Sequence, residues 1–224
     1  MKNKIAVVLV SGGMDSALSA AYANKKYGLA FLHFNYGQRT QKRELKAFHD
    51  IADFYRAKQR LCIDLGHLKI IGGSSITDKR IKILKANLHR KNIPSTYVPF
   101  RNATMLSIAV SWAEMIKAEK IYIGAVEEDS SGYPDCREIF YKSFNKVIRY
   151  GTKTGQKLKI ETPLIHMTKK EIVLNSIKLK SPIHLTWSCY KNNNFACGVC
   201  DSCSFRLRGY KQAGISDPIP YKKC

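Results

Sequence analysis

Ile5-Ala-Val-Val-Leu-Val10 runs directly into Ser11-Gly-Gly-Met-Asp-Ser16, and an apolar-periodic stretch, residues 17–27, follows at once. That order reads as buried strand, glycine-bearing turn and helix. A loop at a helix N-terminus points backbone N–H groups at one spot, where the helix dipole favours negative charge. Gly12 and Gly13 allow close backbone approach and positive φ. Ser11 and Ser16 add hydroxyl donors, and Asp15 can hold Mg²⁺ through water or orient a nucleophile. Such a nest suits a pyrophosphate. A Walker P-loop is excluded because no Gly-Lys-Ser/Thr follows, and the G-x-G-x-x-G dinucleotide pattern does not fit either.

Outward from this unit, strands and helices alternate. Residues 29–34 read as a second strand. Residues 41–55 read as a helix with Leu45, Phe48, Ile51, Ala52 and Tyr55 on one face. Residues 60–64 form a short third strand. Gly72-Gly-Ser-Ser75 is a loop, 79–88 a short helix and 94–99 an extended segment. A helix over 103–117, a buried strand over 120–124 and helices over 136–150 and 169–178 complete the series. This alternation predicts an α/β fold with a doubly wound, mainly parallel sheet. Residues 1–180 are expected to form that domain, with 181–224 as a small segment packed on it. Ligands of such sheets sit beyond the C-terminal strand ends, near a topological switch point. Residues 11–13, 35–39, 101–102 and 125–137 all fall near predicted strand ends and are expected to converge there.

The chain has 224 residues, 45% of them hydrophobic, which is enough for a complete core. No apolar run approaches the ~20 residues that span a membrane. Met1-Lys-Asn-Lys-Ile5 leads at once into a strand, so no signal peptide is read and the cytoplasm is the default. The formal charge is +21, from 38 Lys+Arg against 17 Asp+Glu. Such a balance attracts polyanions. The lysines are spread rather than clustered, so a general bias in residue usage explains the charge as well as RNA contact does.

Cys189, Cys197, Cys200 and Cys203 form C-x7-C-x2-C-x2-C. Four thiolates close a tetrahedral Zn²⁺ shell with no open position, so the metal is expected to be structural. An iron–sulfur cluster uses the same ligands. Disulfides compete poorly in a reducing compartment. Structural zinc supplies roughly 10–16 kcal/mol of folding free energy, so the last ~40 residues are expected to need it. Cys62, in a predicted strand, reads as a small core residue. Cys136 lies in a polar segment where it can touch a ligand, and Cys224 has no evident role.

The loop Ser11-Gly-Gly-Met-Asp-Ser16 resembles the PP-loop of the ATP pyrophosphatase superfamily, which cleaves ATP between the α- and β-phosphates. Further segments extend the likeness: Tyr36-Gly-Gln-Arg39, Val98-Pro-Phe-Arg-Asn102, Ser131-Gly-Tyr-Pro-Asp-Cys-Arg137, Thr186-Trp-Ser-Cys-Tyr190 and Cys197-Gly-Val-Cys-Asp-Ser-Cys203. As an ordered set they resemble the 7-cyano-7-deazaguanine synthase family of queuosine biosynthesis. Two positions depart from the family pattern: Asn35 stands where an Asp is usual, and Thr40 where a His is usual.

The resemblance implies an ATP- and Mg²⁺-dependent ligase with one structural zinc, often a homodimer, acting on 7-carboxy-7-deazaguanine and ammonia. The carboxylate attacks the α-phosphate, ammonia displaces AMP to give the amide, and a second activation gives the nitrile. Residues 9–19 (Leu9, Val10, Ser11, Gly12, Gly13, Met14, Asp15, Ser16, Ala17, Leu18, Ser19) would surround the nucleotide. Asp15, Ser16, Arg101 and Lys169 are the candidate catalytic residues, with Thr168 as the cap that starts the lysine's helix. Arg39, Asn102, Tyr133 and Asp135 are the candidate substrate residues. Asp135 would accept paired N–H donors from a guanine-like edge, and Tyr133 would stack on the ring. Trp187 and Tyr190 would cover the site, Trp187 mainly as core. One of Glu127, Glu128 and Asp129 is a candidate Mg²⁺ ligand. A PP-loop enzyme that adenylates a tRNA base directly is the alternative.

Overall fold

The computed structural model describes residues 4–87, 92–127, 132–155 and 157–222. Its centre is a parallel five-stranded sheet: β1 (Ile5–Leu9), β2 (Gly28–Asn35), β3 (Gln59–Asp64), β4 (Lys120–Tyr122) and β5 (Lys159–Glu161). The strand order is β3-β2-β1-β4-β5, and every pairing is parallel. The chain thus winds outward from β1 in one direction and then in the other. Its switch point lies between β1 and β4, where a crevice opens beyond the strand ends.

Alternation along β1 shows why both faces are covered. Val7 and Leu9 point into one cluster with Leu106, Ala109, Tyr141 and Ile148. Ala6, Val8 and Val10 point into another with Ala17, Ala20, Phe48 and Ile51. Period-two side chains that are apolar on both faces require a helical layer on each. The first face receives α4 (Arg101–Met115) and α5 (Glu138–Gly151), and the second receives α1 (Met14–Asn24) and α2 (Gln41–Phe54). Phe31 and Phe48 are wholly buried there, each contributing roughly 1.5–3 kcal/mol by area. Alanines at 17, 20, 21 and 23 make α1 a strong helix former and keep it close to the sheet.

The structure departs from the sequence reading at two short elements and one expected helix. α3 (Gly66–Ile71) and β5 are too short for periodicity to announce. The expected helix over 79–88 is absent across its described residues, 79–87. There Arg39 binds the carbonyls of Ser75, Asp78 and Ile81 (2.8, 3.0 and 2.6 Å), and Ala86 N–H donates to Val199 O. These long-range bonds take backbone groups that a helix would need. Cys62 is also corrected: β3 has one sheet neighbour, β2, and Cys62 stands exposed on that edge.

The C-terminal segment begins after α6 (Lys169–Lys178) and carries α7 (Asp201–Ala213), with the described chain running on to residue 222. Trp187 N–H donates to Gly12 O at 2.8 Å, pinning the segment to the first loop. Arg206, 2% exposed, holds it from within. Its guanidinium meets both oxygens of Asp217 (2.7 and 2.9 Å), Thr186 Oγ1 (2.7 Å), Ser188 Oγ (3.3 Å) and Ile183 O (3.4 Å). The sequence reading missed this knot, whose partners are separated by up to 23 residues. Among the described residues, no helix is long and apolar enough to cross a membrane.

Candidate active site

A cavity of about 290 Å³ opens at the switch point. Leu9, Val10, Ser11, Gly13, Met14, Asp15 and Ser16 form one wall, and Ile123 to Val126, after β4, face them. Gly12 is a glycine for two reasons. Its φ is +89°, and a Cβ there would lie 2.7 Å from Glu44 O. Gly13 instead is extended (φ −83°) and precedes α1, so only one of the two glycines needs the left-handed region. Gly124 lets β4 approach: a Cβ there would lie 2.6 Å from the Asp15 carbonyl carbon. Ser11 Oγ accepts the Gly13 N–H (3.2 Å) and donates to Ser16 Oγ (3.2 Å), and Ser16 Oγ donates to Gly13 O (2.9 Å). The hydroxyls are thus preset at the mouth of the α1 N-terminus, where first-turn N–H groups lack helical partners.

Lys169 is brought from 154 residues away, and its Nζ donates to Asp15 Oδ2 at 2.7 Å. The sequence reason for its placement is a capping box. Thr168 Oγ1 accepts the Glu171 N–H (3.2 Å), and the Glu171 carboxylate accepts the Thr168 N–H (2.8 Å). Asp15 Oδ1 is buried with no partner among the described residues. A carboxylate oxygen with an open position beside a phosphate nest fits a Mg²⁺ ligand.

Arg101 enters from the opposite side, at the first position of α4. Phe100 before it takes φ +54°, an uncommon left-handed conformation for a bulky residue. Arg101 Nη1 donates to Tyr36 OH at 3.0 Å, while its Nε is buried without a partner among the described residues. Burial alone would lower its pKa, but Tyr36, Tyr133, Cys136 and Tyr190 around it bring the balance above the ordinary value. Desolvation pushes Tyr36 up to about 12 and Cys136 up to about 11, so both remain protonated at neutral pH. A neutral thiol is a poor nucleophile, which leaves Cys136 as a wall residue.

The other expected site residues divide. Tyr133 and Asn102 line the cavity, as do Tyr190 and Trp187. Tyr133 OH donates to Thr96 Oγ1 at 2.8 Å. Asp135 stands behind this wall: its carboxylate accepts the Asn102 N–H (3.0 Å), and its carbonyl accepts from Asn102 Nδ2 (3.0 Å). Arg39 is directed away, into the carbonyls that displace the 79–88 helix. Ala17 and Leu18 are wholly buried in two apolar clusters, and Ser19 is wholly buried in α1. Glu127 Oε2 accepts the Glu138 N–H at 2.8 Å and so caps α5. Glu128 and Asp129 lie outside the described residues, as do Ser131 and Cys224. Glu44 and Arg206 join the cavity wall without having been singled out for it, whereas Tyr36 lines it as expected of the 35–39 stretch. Tyr36 and Glu44 flank the Gln38–Arg39 turn, and their spacing carries no periodic signal.

The four sulfurs of Cys189, Cys197, Cys200 and Cys203 lie within 4.8 Å of one another. A tetrahedral Zn–S shell spans about 3.8 Å between sulfurs, so the set fits a closed four-thiolate site. Cys189 Sγ accepts hydrogen bonds from Cys200 and Cys203 and the N–H groups of Lys191, Asn192 and Cys197. The two thiols, then those backbone donors, hold it well below the ordinary thiol range. A thiolate is the ligand form.

A parallel sheet with a glycine-cornered serine loop and an Asp–Lys pair at its switch point defines an α/β protein of the PP-loop type. The chain belongs to the queuosine biosynthesis protein QueC family, whose model matches residues 5–214. It is 58% identical over 218 residues to the 7-cyano-7-deazaguanine synthase of Chloroherpeton thalassium, covering 97% of this chain and 96% of that protein. It is 55% identical over 218 residues to the 7-cyano-7-deazaguanine synthase of Chlorobaculum parvum, with the same coverage, 97% and 96%. Among solved structures the fold is similar to the U34-tRNA thiolase NcsA from Methanococcus maripaludis with its 4Fe-4S cluster. The TM-score is 0.51 at 16% identity, covering 94% of this chain and 64% of that chain. At that identity the likeness shows the fold alone.

Proposed function

We propose that the protein is a carbon–nitrogen ligase that converts 7-carboxy-7-deazaguanine and ammonia to 7-cyano-7-deazaguanine at the expense of ATP. The observation that carries this reading is the single cavity that joins the serine–glycine loop to Arg101. Carboxylate activation needs an anion cradle for the nucleotide and a second cation for the acid, in one enclosed space. The names of the relatives specify the base.

The arrangement of the cavity supports the following roles. Gly12 to Ser16 cradle the β- and γ-phosphates, which leave as pyrophosphate. Lys169 neutralises charge that develops on them; Asp15 would hold Mg²⁺, which would supply further positive charge there. Arg101 draws the substrate carboxylate toward the α-phosphate through its spare N–H, and Tyr133 and Tyr190 offer ring faces to the bicyclic base. The carboxylate oxygen bonds phosphorus, and ammonia then displaces AMP. The amide oxygen repeats the attack on a second ATP, and loss of AMP with two protons leaves the nitrile. Zinc on the four cysteines serves the fold, not the chemistry. Asp135 holds Asn102 and the α4 start, and reaches the base edge only with a shift of that contact.

The test is mass spectrometry of base and nucleotide together, with 7-carboxy-7-deazaguanine, ammonium, Mg²⁺ and ATP. Nitrile with AMP and pyrophosphate is the expected outcome. ADP and phosphate, or no turnover by metal-replete protein, would overturn the reading and promote the tRNA alternative, for which RNA gel shifts across salt concentrations are the check.

A further inference from the structure

One acidic side chain in the cavity wall has no part in the steps above. Glu44 stands in the first turn of α2. Thr40 Oγ1 donates to its Oε1 at 2.6 Å, and Gln38 Nε2 to its Oε2 at 3.3 Å. Gln38 is itself fixed, because its Oε1 accepts the Tyr36 N–H at 2.8 Å. Two neutral donors therefore aim the carboxyl group. None of the ion pairs among the described residues includes it. Burial raises its pKa, while Thr40, Gln38 and nearby Arg101 oppose that rise. This end of the cavity thus holds an arginine with a spare donor and a carboxyl that is in no ion pair among the described residues. The arginine suits the acid being activated. The carboxyl suits a small cation that must lose a proton, and the reaction needs one.

We propose that Glu44 is the catalytic residue that captures ammonium and deprotonates it for the amide-forming step; the proposal rests on the ligase reading. Ammonium gives one proton to the Glu44 carboxylate and becomes ammonia. The nitrogen lone pair bonds the acyl carbon, and the carbon–oxygen bond to AMP breaks with its electron pair going to AMP. The surplus N–H proton of the new amide passes to the departing phosphate, and Glu44 returns its own proton to water. Nothing is oxidised or reduced. The later amide-to-nitrile step consumes no ammonia and so does not require this capture.

That asymmetry supplies the test. Unaltered protein, Glu44→Gln and Glu44→Asp are assayed in two half reactions: carboxylate to amide against ammonium concentration, and supplied amide to nitrile with ATP alone. For Glu44→Gln, the KM for ammonium is expected to rise about tenfold or more, as loss of a charge-assisted hydrogen bond implies, while the supplied amide is still dehydrated. Glu44→Asp restores part of the loss, and hydroxylamine, unprotonated at neutral pH, narrows the gap between variant and parent. Equal losses in both half reactions, or an unchanged ammonium KM, would overturn the proposal and leave Glu44 as a tie for the 36–40 turn. If Glu44→Gln does not fold, Glu44→Asp carries the same comparison. Failure of both half reactions in the unaltered protein would instead overturn the ligase reading, and this role with it.

Discussion

Two arginines line the same cavity under opposite conditions. Arg206 has five N–H donors and five acceptors within 3.4 Å, two of them on Asp217. Arg101 has a tyrosine hydroxyl on Nη1 and a buried Nε with no acceptor among the described residues. A fully paired buried charge fixes structure and leaves no capacity for a ligand. An underpaired one carries a desolvation cost that a bound anion would offset. The same contrast separates the two anion-related carboxylates: Asp217 is saturated, whereas Asp15 keeps Oδ1 open beside Lys169. Residue type alone therefore does not mark the site; unspent hydrogen-bonding capacity does.

The largest effect that bears on this contrast is metal removal. Chelation, or Cys203→Ser, is expected to release the metal and unfold the segment around α7, since structural zinc supplies roughly 10–16 kcal/mol. Hydrogen exchange should show protection lost in α7 and kept in β1 and β2; uniform protection would mean that Arg206 alone holds the segment. Next comes Arg206→Met, which strands Asp217 in the interior and should cost about 3–5 kcal/mol in denaturant unfolding. Adding Asp217→Asn should recover part of that loss, because the stranded charge is gone. Arg101→Met should behave in the reverse way: turnover falls about 10²–10³-fold, as for loss of one preorganised donor, while the thermal midpoint holds or rises. A large drop in that midpoint would show that Arg101 is structural after all and erase the distinction.

The smallest effect is acid sensitivity from His33. Its Nδ1 lies 2.8 Å from Val10 O, so that nitrogen carries the proton, and its Nε2 has no partner among the described residues. Desolvation lowers its pKa below the ordinary 6.5. Below 6.5 the unfolded chain binds the extra proton first, so this contribution is full above that value and declines as pH falls. Urea midpoints from about pH 7 to about pH 5 should fall more steeply for the parent than for His33→Gln.

The strand–loop–helix at residues 5–24 was legible because period, glycine and polar loop all agree within twenty residues. The zinc-type cluster was legible because its spacing is itself the geometry. Arg39 shows the limit. As a cation in a loop after a strand it reads as an anion ligand, yet the carbonyls of Ser75, Asp78 and Ile81 claim it. Cys62 failed for a related reason, because a strand pattern does not reveal which strand ends up at the edge.

Local chemistry, then, decided the fold class, the phosphate-type loop, the capped helix that presents Lys169 and the four thiolates. Those features depend on residues close in the chain, whose relative positions backbone geometry dictates. Packing decided the rest: that Lys169 meets Asp15 across 154 positions, that Arg206 is spent while Arg101 is not, and that Glu44 faces the cavity. Each of these turns on which donors find acceptors once the sheet, its helices and the C-terminal segment have closed on one another, and no window of sequence contains that information.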